Sequence, residues 1–454
     1  MPAVAASSTS DNEVRSRIAH LYRRAGFGAR PDELDAAVAA GYEATVDRLV
    51  DLGAPDPAAD ALAPPALTPY DAGAAAAQAA GQGAGTPAQQ AARQAAQRTA
   101  RQEMQKLSLW WVGRMAAAQV PLREKLALFW HSHFATSVLK VKEPTLMYAQ
   151  NQAFRTLGGG SFTALARAVV EGPALMVYLD ANQNRRASPN ENLSRELLEL
   201  FTLGIGNYTE GDIKEGARGL TGLLVNRQTG AVTVNRAEHD QGTKTYLGRT
   251  ANLAPDDVVA TACASPACAP YVASRVWSHF ARPAAPNDPV VVDLARDFAK
   301  DLDVGRLVRA VFLHPEFSTP ASRSGLVKQP IEYVAGTLRA LGRPTGTDAS
   351  VLAQLNTLGQ SPFEPPDVGG WPQNTYWLNT SFSLSRLRFA AAIAARADVS
   401  ALASAPAAER PAAAAHLLSV DGWGPSSAEG LAKAANDPRA LLTLALVTPE
   451  YVLA

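Results

Sequence analysis

The sequence predicts a mostly α-helical protein, one large multi-helix domain over about residues 11–450 that carries a single small β-hairpin. Three observations carry that expectation. Apolar residues recur at helical spacing through most of the 454 residues. Proline stands near helix starts and glycine near their ends, as with Pro31 and Gly41 in "ARPDELDAAVAAGYEA". Only "GLLVNRQTGAVTVN" shows two short alternating runs around a turn, at Thr229 and Gly230.

Taken in order, residues 13–50 read as a helix, a Gly-rich turn and two short helices. Residues 51–85 are rich in Ala, Pro and Gly with few large apolar side chains, so they read as a flexible insertion that buries too little surface to offset ordering. Thr86 and Pro87 start a long helix with no breaker before Val120 and Pro121. "LREKLALFWHSHFATS" follows as an amphipathic helix, and the Gly158–Gly160 turn separates the next helices. Ser188 to Glu191 have the form of a capping box with Pro189 at the first helical position, ahead of "NLSRELLELFTLG", which Gly204 closes. Thr209 and Asp212 repeat that start. The hairpin and a polar loop occupy residues 220–248, helices resume at "DDVVATAC", and the proline-rich "GQSPFEPPDVGGWPQNTYW" reads as a packed loop before the last helices. No fixed-period repeat is present.

Composition narrows the function classes. With 47% hydrophobic residues the chain can bury a large core, and 42 basic residues balance 42 acidic ones, so no net field draws nucleic acid or an anionic membrane. No apolar run approaches the roughly 18 residues of a membrane span. The N-terminus "MPAVAASSTSDNEVRSR" lacks the pattern of a secretory signal, so the chain as given is expected to be cytoplasmic, or exported if a leader has been removed. Cys263 and Cys268 in "TACASPAC" fit no zinc spacing; they read as ordinary small residues, with a local disulfide as the alternative.

The blocks "LYRRAGFG", "PLREKLALFWHSHFATS", "NENLSRELLELFTLGIGNYTEGDIKEGARGLTG", "HDQGTKTYLG" and "GQSPFEPPDVGGWP", in this order, resemble the bacterial family catalogued as domain of unknown function 1800. The resemblance spans nearly the whole chain outside the insertion. It implies a mostly helical protein and brings no reaction with it; many relatives look exported.

Candidate chemistry lies in three segments. On an ideal helix Leu122, Leu126, Phe129 and His133 share one face, while His131 lies about 200° away beside Glu124. The plain reading is one core histidine and one surface or interface histidine; the functional reading makes either a metal ligand or general base. On the next candidate helix Arg195, Glu196 and Glu199 gather opposite the apolar stripe, either as a solvated face or as the kind of carboxylate pair that helical bundles use to hold metals. Glu191 reads as the capping-box residue. In "EHDQGTKTYLG", His239, Asp240 and Lys244 either shape a turn or supply a base, its orienting carboxylate and a cation for an anionic group. Trp371 lines a pocket or plugs the core. Arg23 and Arg24 are more readily explained by ion pairs with acidic helices than as a clamp for a carboxylate or phosphate.

The leading expectation from sequence is therefore a metal-dependent enzyme. His131, His133 and Glu199 would hold a divalent Zn, Fe or Mn ion, His239, Asp240, Lys244 and Glu196 would act as catalytic groups, and Arg195 and Trp371 would contact substrate. Hydrolysis needs fewer further parts than oxidative chemistry. The alternative is a non-catalytic binding or assembly protein whose polar clusters are buried structural networks.

Overall fold

The computed structural model describes residues 3–69, 86–226, 229–343 and 348–453, with side chains from residue 12 onward. Its described residues are mostly helical, with two separate two-stranded antiparallel sheets. Among the described residues no helix is long and apolar enough to cross a membrane. The buried apolar residues form one cluster that runs from Ile18 to Val452.

The Pro121–His133 helix lies at the centre, and all of its residues except Arg123 are buried. This corrects the two-faced expectation: neighbours pack on every side, so His131 is a buried residue and not a surface one. Leu122, Leu126, Phe129 and His133 pack as expected, but Glu124 on the polar side and Lys125 beside the stripe are buried too and must be paired. Glu124 accepts from Arg114 Nε (2.9 Å), Arg155 Nε (2.8 Å), Arg155 Nη2 (2.9 Å) and Trp111 Nε1 (3.0 Å). Burial opposes its ionisation, yet the Arg155 and Arg114 guanidiniums prevail and hold its carboxyl down at about 2. This network ties the central helix to the Pro87–Ala117 and Pro144–Leu157 helices.

The Pro87–Ala117 helix starts at a Thr86–Gln89 capping box and is buried throughout from Leu107 onward. Part of the Ala/Pro-rich segment before it is firmly packed. Asp56 accepts from the backbone N–H groups of Ala59, Gln119 and Val120, and Arg114 donates to Ala59 O. Residues 70–85 of the expected insertion lie outside the described residues.

Two further expectations are corrected locally. The helix anticipated at Pro189 starts at Asn192. Asn190 N donates to Asn184 Oδ1 and Asn190 Oδ1 accepts from Asn192 N, which fastens this stretch to the preceding turn and keeps it from winding. From Leu197 to Thr202 the helix widens to π geometry, then ends at Gly204, whose φ of +78° only glycine adopts readily. The hairpin of β1 (Leu223–Val225) and β2 (Val232–Val234) forms as expected, although Arg227 and Gln228 of its turn lie outside the described residues. A second hairpin pairs β3 (Lys244–Tyr246) with β4 (Arg249–Ala251). Its turn residues Leu247 and Gly248 both have positive φ, and a leucine there hides the turn from sequence reading.

Candidate functional site

Among the described residues the sequence-derived candidates form no metal-binding group, and most are held by partners of their own. His131 lies in a nest of Trp111, Phe154, Phe363 and Trp371 rings, 5.2 Å from the Trp371 centroid. Its Nε2 has no hydrogen-bond partner, and burial holds its pKa at about 3. His133 donates from Nε2 to Phe201 O (2.9 Å), and burial followed by the charge of Arg275 lowers its pKa to about 3. Among the described residues no carboxylate bonds to either ring. Glu199 accepts from the Tyr208 hydroxyl (2.8 Å), and half-buried Glu196 is pushed above the usual carboxylate range by burial and then by Glu199. Arg195 is engaged at the surface by Glu210 and Glu191.

The His239 loop is also occupied with itself. His239 Nδ1 donates to Thr221 O (2.9 Å), while Asp240 turns away to receive Arg218 Nε (2.7 Å), so the sequence neighbours form no dyad. Lys244 is fully buried, and its ammonium donates to Asp240 O, Gly242 O and Asn252 Oδ1. It pins the loop and has no remaining donor direction toward solvent. Trp371 is a core plug: its backbone N–H meets Ser132 Oγ (3.3 Å), and its indole is buried against His131. Among the described residues no group of three or more His, Cys, Asp or Glu side chains could hold a metal ion.

A different set of residues does converge. Arg24 at the end of the Ala3–Ala25 helix, Lys125 on the central helix, Ser278 and His279 at the end of the Cys268–Phe280 helix and Glu332 in the first turn of the Pro330–Ala340 helix line one cavity. Its free interior is about 20 Å³, room for one or two water-sized groups. Gln373 and Asn374 from the proline-rich loop stand at its mouth, Gln373 being exposed.

The charges here are unbalanced. Lys125 Nζ donates to Glu332 Oε1, and Gln329 N donates to Glu332 Oε2 (2.9 Å), so both oxygens of the cavity's carboxylate are used. Burial opposes ionisation of Glu332, but the Lys125 ammonium and then the Gln329 N–H outweigh it and hold the carboxyl below its ordinary range. Arg24, 1% exposed, has one hydrogen bond, from Nη2 to Ser322 O (2.5 Å), while its Nε and Nη1 are buried without a partner. Burial, then the neighbouring Arg23, pulls its pKa down to about 9. His279 Nε2 is likewise buried and unpartnered; burial, then Lys125, holds that imidazole at about 3 and therefore neutral. Lys328, between the lining residues Val327 and Gln329, is buried behind the cavity with its Nζ 3.6 Å from the Tyr451 ring centre, and burial, then Arg23, draws its pKa well below that of a free amine. Arg23 differs from its neighbour, because Asp421 stands 3.6 Å away and Ser419 O accepts from it.

Sequence reasoning weighed Arg24 but passed over Lys125, His279 and Glu332. The available signal was weak: charged residues inside otherwise apolar helices, as in "REKLALFW" and "PIEYVAG". Nothing in their spacing joins positions so far apart in the chain.

Fold and site together define the class: a helical scaffold with two small hairpins, built around a buried chamber that holds more cations than anions. A family model described as "Protein of unknown function (DUF1800)" matches residues 20–453, and the chain belongs to that family. No curated protein and no solved structure matches the chain.

Proposed function

We propose that this protein binds a small molecule through a compact anionic group, of carboxylate size, received in the cavity between Arg24, Lys125 and His279. The observation that carries this reading is Arg24: a guanidinium buried with two N–H directions unpaired costs several kcal/mol unless an acceptor reaches it. A carboxylate oxygen can accept from one of these open N–H directions, and the narrow interior favours a carboxylate over the bulkier phosphate.

Binding is favoured over catalysis because the hydroxyl and the carboxylate that line the cavity are both engaged. Ser278 Oγ donates to Ala284 O (3.2 Å) and accepts from Ala284 N (3.0 Å), and Glu332 is held by Lys125 and Gln329 N. The metal-dependent hydrolase expected from sequence draws no support from the placement of its residues, whereas the binding alternative does.

The test is thermal unfolding in sodium acetate, sodium phosphate and sodium chloride at matched ionic strength. Acetate is expected to raise the unfolding temperature of the wild type above chloride, and phosphate to raise it less. Arg24→Met should abolish the difference. Equal curves in acetate and chloride, or an acetate response that survives Arg24→Met, would remove the proposal.

A further inference from the structure

The cavity sorts its lining by charge. Arg24, Lys125 and Glu332 stand inside, whereas the residues of the mouth, Leu326, Val327, Gln373 and Asn374, carry no charge. Two segments make that mouth and are tied to each other: Val327 N donates to Asn374 Oδ1 (3.1 Å), and Asn374 Nδ2 donates to Gly325 O (3.1 Å). Both ends of the Asn374 amide are used in this way, so it builds the rim and leaves recognition to the side chains beside it. A second tie comes from Arg386 of the Thr380–Arg396 helix, which donates to Trp377 O (2.8 Å) and to Lys328 O (3.3 Å).

Beyond the rim the surface turns apolar. Leu326 is half-buried at the mouth. Gln373 leads into the short Asn374–Trp377 helix, and Tyr376 N donates back to Gln373 O (3.4 Å), which sets Tyr376 one turn away from the mouth. Tyr376 is 56% exposed, and its ring centre lies 6.0 Å from that of half-buried Phe382; Leu378, two residues on, is 50% exposed. The free interior has room for a carboxylate and for little more, so whatever carries that carboxylate must leave through the mouth.

We infer that the ligand is an amphiphilic monocarboxylate, with its carboxylate at Arg24 and an apolar chain that leaves past Leu326 and Val327 onto the Tyr376 ring. The inference rests on the carboxylate site proposed above and adds the chemistry of the rest of the molecule. Charge complementarity chooses the orientation. The interior has surplus cations and accepts the anionic head, while a second charge at the other end of the molecule would lie against an uncharged rim. A hydrocarbon chain has no polar group for the rim to satisfy, and it takes part of Leu326 and Tyr376 out of water. Each methylene that is fully covered tightens binding about 4-fold, and one lying on an open rim about 2-fold.

The experiment derives dissociation constants of the full chain for acetate, propanoate, butanoate and pentanoate from thermal unfolding at matched ionic strength, with N-acetylglycine as a polar counterpart of pentanoate. In the wild type affinity should rise along the series, by about 8-fold from acetate to pentanoate, and N-acetylglycine should fall near acetate. Tyr376→Ser, at an exposed position, should keep the acetate constant and flatten the series; Arg24→Met should lose every member. A flat series in the wild type, a series unchanged by Tyr376→Ser, or N-acetylglycine equal to pentanoate would overturn the inference and, with acetate still bound, leave the carboxylate site standing. No response to any carboxylate would remove both. A dimer of the unliganded wild type that Tyr376→Ser dissociates, seen by light scattering, would assign this face to a second copy of the chain and overturn the inference as well.

Discussion

Lys125 donates to Glu332 across 207 positions of sequence, joining the central helix to the Pro330–Ala340 helix at the wall of the cavity. The pair is buried, and among the described residues Glu332 is the only carboxylate that lines the chamber. Its charge is shared between Lys125 and the more distant Arg24 and Lys328.

Removing Glu332 and removing Arg24 should therefore have opposite consequences. Glu332→Gln leaves Lys125 uncompensated among other cations and is expected to cost about 3–5 kcal/mol in urea unfolding. Arg24→Met removes a guanidinium with two unpaired donors and should be neutral or stabilising without ligand. Equal losses from the two variants would show that the chamber carries no surplus positive charge.

Acid should weaken the fold earlier than carboxylate protonation alone predicts. His131, His133 and His279 are each held at about 3, below the 6.5 of an unfolded histidine. Between those values the unfolded chain binds protons that the native chain refuses. Stability is thus complete above about pH 6.5 and falls with pH toward 3, by about 1.4 kcal/mol per unit for each imidazole once pH is well below 6.5. Urea titrations at pH 7.5, 6.5 and 5.5 measure the slope. His131→Phe, which keeps a ring in the aromatic nest, should reduce it; an unchanged slope would refute this account.

Glu124→Gln should be among the most damaging single changes. It removes the charge that Arg114 and Arg155 share in the interior, and the expected cost is about 3–5 kcal/mol. The Asp60 contact of Arg114 lies at a half-exposed side chain and compensates little. Equilibrium unfolding of Glu124→Gln and Asp60→Asn, compared side by side, distinguishes the two partners; similar values would contradict the network described.

Gly370 fixes the loop over the central helix. Its φ is +89°, and an added Cβ would stand 2.2 Å from Ser132 O and 2.6 Å from Ser132 Oγ. Gly370→Ala is expected to destabilise by more than about 1 kcal/mol from backbone conformation alone, with the clash added. Intrinsic fluorescence should report increased solvent access at Trp371, and an unaltered spectrum and unfolding midpoint would argue against this packing.

The sequence by itself determined the helical class, the long helix from Thr86 and Pro87, the capping box at Thr209 and Asp212, the stop at Gly204 and the first hairpin, because each is written in residues within one or two turns of each other. The 1800 family was likewise legible in its ordered blocks. Where side-chain bonds or unusual turn residues overrode local pattern, as at Asn184–Asn190 and Leu247–Gly248, the local reading missed the element.

Only the tertiary structure decided the fate of the polar residues. His131, Glu124 and Lys125 look solvent-facing when the central helix is read alone; helices packed on every side bury them, and burial turns each into a group that must find a partner or stay neutral. His239, Asp240 and Lys244, adjacent in sequence, point their chemistry into separate structural bonds, while Arg24, Lys125, His279 and Glu332, far apart in sequence, meet around one hollow. Local spacing sets which face of a helix a residue occupies, but the long-range packing of helices determines what that face meets.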